Sequence, residues 1–237
     1  MLLLVLYKMR NCHPRSPPCL LSVYKQMTKV LLTGFEPNDE GLNASEIVVN
    51  ALQKRPSSVV AEGGVELHCQ ILPGDTNKLR SALEGTLSES KPDVYLGIGQ
   101  ARGYNKIAIE RMAKNLRYFV TPDKAGNTPK GEAVVSEGVI AYWHSLQNLE
   151  ATVAALEDSG IPARVMNDCG THLCNQAFYH SLYWSQQHQP SMRVGFVHIP
   201  ALPEQVIQQW PEAPFMPLSM TCEAIAIIVR HQLVGLE

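Results

Sequence analysis

An α/β domain, with helices packed on both faces of a mainly parallel, twisted sheet, is the architecture this sequence predicts. Three observations carry that expectation. Short apolar runs ending at glycine or proline alternate along the chain with segments of helical periodicity. The 237 residues, 45% hydrophobic and 18% charged, suffice for one substantial core. No internal repeat, low-complexity tract or interdomain linker divides the chain.

The elements follow in order. Val30 to Gly34 reads as a short apolar strand, and Ala44 to Leu52 as a helix carrying Ile47, Val48 and Leu52, stopped at Arg55-Pro56. Val65 to Leu72 alternates as a strand does and ends at Pro73. Asp75-Thr76 can cap a helix with Leu79, Leu83 and Leu87 on one face, and Val94 to Gly99 forms the third strand. Residues 116–140, rich in Gly and Pro, predict a long loop or hairpin. Leu149 to Leu156 is helical, Ala163 to Met166 a strand, and Thr171 the expected cap of the next helix, whose inner face carries Cys174, Ala177, Phe178, Ser181 and Leu182. Val194 to Val197 is a strand, and the last helix presents Cys222, Ile225, Ala226, Val229 and Leu233.

The first 28 residues stand apart. They carry Lys8, Arg10, Arg15 and Lys25 but no acid, the first being Glu36. Leu2 to Leu6 is too short for a signal-peptide core, and the positive charges follow it rather than precede it. An organelle transit segment is one reading. The preferred one takes Met27 as the natural start and residues 1–28 as an extension outside the fold, leaving 29–237 as a single domain.

Twenty basic against 22 acidic residues give a charge of −2, which points to neither a nucleic-acid nor a membrane surface. No apolar run approaches the roughly 20 residues that span a bilayer. Six cysteines in a chain this long do not suggest a disulfide scaffold, and Cys69 and Cys222 sit in apolar settings. A reduced, cytoplasmic protein is expected.

Chemistry concentrates in three places. Cys174 follows the turn Gly170-Thr171 near the start of a helix, where unpaired N–H groups and partial positive charge favour a thiolate. The competing reading is a buried structural cysteine. His198 closes the strand Val194 to Ile199, at the edge where open α/β sheets bind ligands, with His172 as its rival imidazole. Glu110 interrupts Ile107-Ala108-Ile109 and is followed by Arg111. It either pairs with an arginine or orients His198, and Asp168 is the alternative acid. Gly97, Gly99 and Gly103 follow a strand, but their spacing does not fit a dinucleotide fingerprint. Cys169 and Cys174 lack a second pair of ligands, so neither a metal nor an organic cofactor is expected.

Taken together, Leu32-Thr33-Gly34-Phe35-Glu36-Pro37, Gly99-Gln100, Ile109-Glu110-Arg111-Met112-Ala113-Lys114-Asn115, Gly170-Thr171-His172-Leu173-Cys174-Asn175 and Gly195 to Pro200 resemble the pyroglutamyl peptidase I family of cysteine peptidases. The resemblance runs from about Met27 to Val229. It implies an α/β/α sandwich, a homo-oligomer (dimer or tetramer), and N-terminally pyroglutamylated peptides as substrates. It assigns the nucleophile to Cys174, the histidine to His198 and the glutamate to Glu110. Phe35 would stack on the lactam and Gln100 would hydrogen-bond its amide.

Three departures bear on specificity. Asn38 stands where the family usually has an aromatic, His172 replaces an aromatic two residues before the nucleophile, and Val120 stands where an arginine is common. Asn38 and His172 thus join Phe35 and Gln100 as candidate substrate-binding residues in a more polar slot. Two alternatives follow: a related cysteine amidase or peptidase with a more polar acyl specificity, or a non-catalytic binding relative.

Overall fold

The protein is described here by a computed structural model covering residues 27–37, 41–59 and 64–236. In chain order its elements are β1 (Thr28–Phe35), α1 (Ala44–Lys54), β2 (Val65–Leu72), α2 (Thr76–Ser90), β3 (Val94–Gln100), β4 (Ile107–Glu110), β5 (Met112–Lys114), β6 (Arg117–Tyr118), β7 (Lys130–Glu132), β8 (Ala141–Trp143), α3 (Leu149–Asp158), β9 (Ala163–Met166), α4 (Leu173–His188), β10 (Arg193–Ile199), α5 (Pro203–Gln208) and α6 (Leu218–Leu233). The first strand begins at Thr28, one residue inside the segment assigned above to the extension. The rest of that segment, apart from Met27, and Asn38 lie outside the described residues.

Six strands form the central sheet in the order β2-β1-β3-β10-β4-β9. The first four run parallel, β4 pairs antiparallel with β10, and β9 runs parallel to β4. The two-residue period of a strand divides the core between the two faces. Val30 and Leu32 point into one layer, and Leu31 between them points into the other. Leu96 and Val197 likewise oppose Tyr95 and Phe196. The first layer is aliphatic and takes Val48, Val49 and Leu52 from α1 with Ile225 and Val229 from α6. The second is partly aromatic and takes Phe178 and Tyr179 from α4. Sheet and helices therefore make the expected α/β/α sandwich.

Local chemistry accounts for the helices. Asn43 caps α1 by accepting from Ser45 N, and Asp75 caps α2 by accepting from Asn77 N. The stripe Leu79, Leu83, Leu87 is fully buried, and each such side chain contributes about 1.5–3 kcal/mol on transfer from water. The Gly- and Pro-rich stretch beyond residue 116 contains the antiparallel pair β6 and β7, with a register shift between Arg117 and Tyr118, while β5 pairs with β8. Among the described residues no helix is long and apolar enough to cross a membrane.

Candidate active site

Chain order along the sheet reverses between β1 and β3: β2 lies on one side of β1 and β3 on the other. Such a reversal leaves a crevice outside the strand carboxyl ends. A pocket of about 230 Å³ lies there, lined by Phe35 and Gln100, the last residues of β1 and β3, and by Cys174.

The sheet brings Glu110 and His198 together. In the antiparallel ladder Glu110 faces Phe196 and Ala108 faces His198, so Glu110 and His198 are diagonal neighbours on one side of the sheet. His198 Nδ1–H donates to Glu110 Oε1 at 2.7 Å, and Glu110 is fully buried. Glu110 Oε2 has no hydrogen-bond partner among the described residues, so the carboxylate spends its bonding on the imidazole. Arg111 does not neutralise it; that guanidinium reaches Glu150 instead. Asp168, the alternative acid, is pinned by Lys114 Nζ at 2.7 Å and by Gly170 N–H. Burial works against its charge, yet these partners hold its carboxyl below the usual carboxylate range.

Cys174 supplies the third group. Its sulfur sits over Gly99, the residue that pairs with His198 in the sheet, and acts on the His198 ring, whose Nε2 is the nitrogen not engaged by Glu110. Burial disfavours a charged imidazole at His198, but a negative sulfur at Cys174 and the Glu110 carboxylate outweigh that cost and lift the group to about 10. The rings of Phe196 and Tyr104 meet the imidazole edge-on at 5.3 and 5.9 Å. On the strand beside His198, Gly99 makes room for the sulfur: a Cβ there would lie 2.7 Å from Cys174 Sγ. Gly97 would collide in the same way with Phe196, so these glycines serve close packing rather than a phosphate.

The start of α4 differs from the expectation in one respect. Thr171 does not cap it. Its hydroxyl donates to Tyr118 O and its carbonyl accepts from Tyr118 N, so its polar groups are already spent on β6. The cap position falls on His172, which makes no side-chain cap bond, and Cys174 is the second helical residue. The first-turn N–H groups beside the sulfur are therefore left without a side-chain acceptor. Asn175 fixes this turn: fully buried, it accepts from Lys114 N and donates to Lys114 O and Leu116 O. Cys169 is a buried thiol, pushed well above its ordinary value by burial and by the charge at Cys174.

His172 lines the pocket, stacked on Phe119 at 3.9 Å with its Nε2–H 3.2 Å from Thr121 O. Burial keeps this imidazole below its ordinary value and hence neutral. Val120 is 82% exposed and does not line the pocket. A cation arrives instead from Lys124, paired at 3.3 Å with Glu36, whose other oxygen accepts from Gly74 N. Trp210 closes the wall from the turn after α5, with the Arg102 guanidinium 4.9 Å from its ring centre. Lys124 and Trp210 were not visible as site residues in the sequence: both sit in irregular segments without periodicity, far along the chain from the strand ends they face. Among the described residues no group of three His, Cys, Asp or Glu is placed to hold a metal ion.

Comparison with known proteins gives this geometry its context. Residues 28–233 match the model of the pyroglutamyl peptidase family. A pyrrolidone-carboxylate peptidase of Bacillus cereus is 36% identical over 205 residues, spanning 86% of this chain and 92% of that one. One from Lactobacillus johnsonii is 33% identical over 208 residues, with 85% and 93% covered. Pyroglutamyl peptidase I of Bacillus amyloliquefaciens superposes with a TM-score of 0.79 at 34% identity, covering 86% of this chain and 96% of that one. A mutant pyrrolidone carboxyl peptidase from Pyrococcus furiosus gives 0.82 at 32% identity, covering 89% and 100%. Sequence and fold agree, and the chain belongs to the pyroglutamyl peptidase family of cysteine peptidases.

Proposed function

We propose that this protein hydrolyses the amide bond that follows an N-terminal pyroglutamyl residue, through a Cys174–His198–Glu110 triad and an acyl-enzyme. The observation that carries this reading is the His198 ring, bonded to buried Glu110 at one nitrogen and influenced by the Cys174 sulfur, which itself lines a pocket of about 230 Å³. The Cys174 thiolate attacks the pyroglutamyl carbonyl carbon. First-turn N–H groups of α4, left without a side-chain cap, receive the developing oxyanion. His198, protonated at neutral pH, gives its proton to the departing amine and then takes one from the water that releases the acyl group. Glu110 fixes the ring so that Nε2 faces the sulfur, and stabilises the imidazolium. Phe35 offers an aromatic face to the lactam.

A chromogenic pyroglutamyl amide tests the reading: hydrolysis that iodoacetamide abolishes supports it, and hydrolysis that survives complete alkylation of Cys174 overturns it. Slow alkylation of Cys174 together with no turnover would favour the non-catalytic relative.

Neutral His172 and the Lys124–Glu36 pair make part of the pocket wall polar, which favours a second reading: the same chemistry on a more polar acyl group. A panel of N-terminally blocked amides separates the two by which acyl group gives the highest kcat/KM. A reducing compartment keeps an attacking thiol free, so we place the enzyme in the cytoplasm, as a homo-oligomer whose size light scattering would give. The catalytic unit is proposed to begin at Thr28, and a chain started at Met27 should keep full activity.

A further inference from the structure

Gln205 lies on α5, shortly after His198 in sequence, and is fully buried. Its Oε1 accepts from Leu202 N at 2.9 Å, while Nε2 donates to Leu42 O at 3.0 Å and to Gln100 Oε1 at 2.8 Å. A backbone N–H can only donate and a backbone carbonyl can only accept, so this amide has one possible orientation. Ala44 N–H also ends on Gln100 Oε1, at 2.7 Å. Two donors therefore fill the two lone pairs of the Gln100 oxygen.

A free glutamine beside a pocket can turn to offer either a donor or an acceptor. Gln100 has no such choice: its acceptor is used up, and what remains for a ligand is the pair of N–H donors on Nε2. We infer that Gln205 is a positioning residue for substrate choice: with Ala44 N–H it saturates the Gln100 oxygen and holds Gln100 as a donor, so that the pocket recognises an acyl group by a ring carbonyl. This deepens the pyroglutamyl reading and rests on it. A five-membered lactam carries one ring carbonyl and one ring N–H, and only the carbonyl matches a donor. Proline has the same ring without that carbonyl and offers Gln100 nothing to bond. A site built around a hydrogen bond discriminates strongly against an analogue that lacks the partner, because the site's own polar group is left unpaired.

The test compares pyroglutamyl and prolyl amides of one leaving group. The wild type should prefer the pyroglutamyl amide. Gln205→Met, similar in length but with no N–H to donate, removes one of the two donors on Gln100 Oε1 and leaves Ala44 N–H alone to hold the amide in place. It should raise KM for the pyroglutamyl amide about tenfold, the equivalent of one hydrogen bond. It should leave kcat within about threefold and narrow the pyroglutamyl-to-prolyl ratio. The rate of Cys174 alkylation should stay at the wild-type value, since the triad is untouched; a general loosening of the fold would change both. Gln100→Glu serves where burial makes Gln205→Met unstable. Its carboxylate still accepts from Ala44 N and Gln205 but has no donor for the ligand, so the ratio should narrow further. 2-Pyrrolidone as a competitive inhibitor should weaken in parallel in both variants. A wild type inactive on the pyroglutamyl amide overturns the peptidase reading and this inference with it. An active wild type whose folded Gln205→Met variant keeps the full ratio, or whose Gln100→Glu variant does, overturns the positioning role alone.

Discussion

Two buried histidines in different regions of the molecule are driven in opposite directions. His198, at the end of β10, is 7% exposed, and His180, midway along α4, is 1% exposed. Burial disfavours the charged form of both. At His180 nothing opposes it: Nδ1 has no hydrogen-bond partner among the described residues, and Arg80 and Arg117 add repulsion, so the imidazole falls to about 3. At His198 a carboxylate and a sulfur reverse the outcome and raise it to about 10. Burial therefore does not by itself decide the charge of a histidine; what faces the ring does. One region of the protein keeps a neutral imidazole as packing, and the other holds a charged one.

Removing the sulfur should break this contrast most severely. Cys174→Ala should lower kcat/KM for a pyroglutamyl amide by at least about a thousandfold, as loss of a nucleophile does. It should also bring the His198 titration down from about 10, since burial then meets only Glu110; a single-site NMR titration reads this directly. An unshifted His198 in that variant would mean that Glu110 alone supports the proton. Glu110→Gln comes next, with a loss of about a hundredfold in kcat, the lower range for general acid–base groups. A variant that lost only thermal stability would make Glu110 a structural residue.

The pH dependence of stability separates the two histidines by sign. The folded pKa of His198 lies above the ordinary 6.5, so its contribution is complete below that value and is lost as pH rises through about 10. The folded pKa of His180 lies below 6.5. Its penalty is therefore absent above 6.5 and grows as pH falls toward 3, by up to about 1.4 kcal/mol per pH unit. His180→Leu should flatten the acid limb of the stability profile by one proton and leave kcat unchanged. Denaturant titrations between pH 4 and 7 measure it, and an unchanged acid limb would show that His180 does not resist protonation. The smallest effect belongs to the pocket wall: Trp210→Ala should raise KM about threefold to tenfold with kcat little altered, as loss of uniform binding does.

Most of the fold was legible because its signals are local. Strand-length apolar runs, the cap at Asp75 and the Leu79–Leu83–Leu87 stripe each belong to one short segment and point to one structure. The three members of the proposed triad stood out for a related reason, each sitting at a segment end where an apolar pattern is interrupted. Thr171 misled because a threonine before a helix usually caps it, and only the tertiary partner Tyr118 reveals that its hydroxyl is engaged. The reversed direction of β4 and β9 was hidden, since a four-residue apolar run reads the same either way. The role of Lys124 and Trp210 depends on loops folding over distant strand ends, for which no spacing in the chain gives a sign.

That reversed β4 has a further consequence. Glu110 and His198 are joined by the same interstrand ladder that holds the middle of the sheet, whereas Cys174 comes from a helix end reached through the turn at Gly170. Backbone amides at 108–110 and 196–198 should then be among the last in the protein to exchange with deuterium, while those at 170–174 open far sooner. The acid and the base would stay registered through every local fluctuation, and the freedom to meet or leave an acyl group would reside with the sulfur.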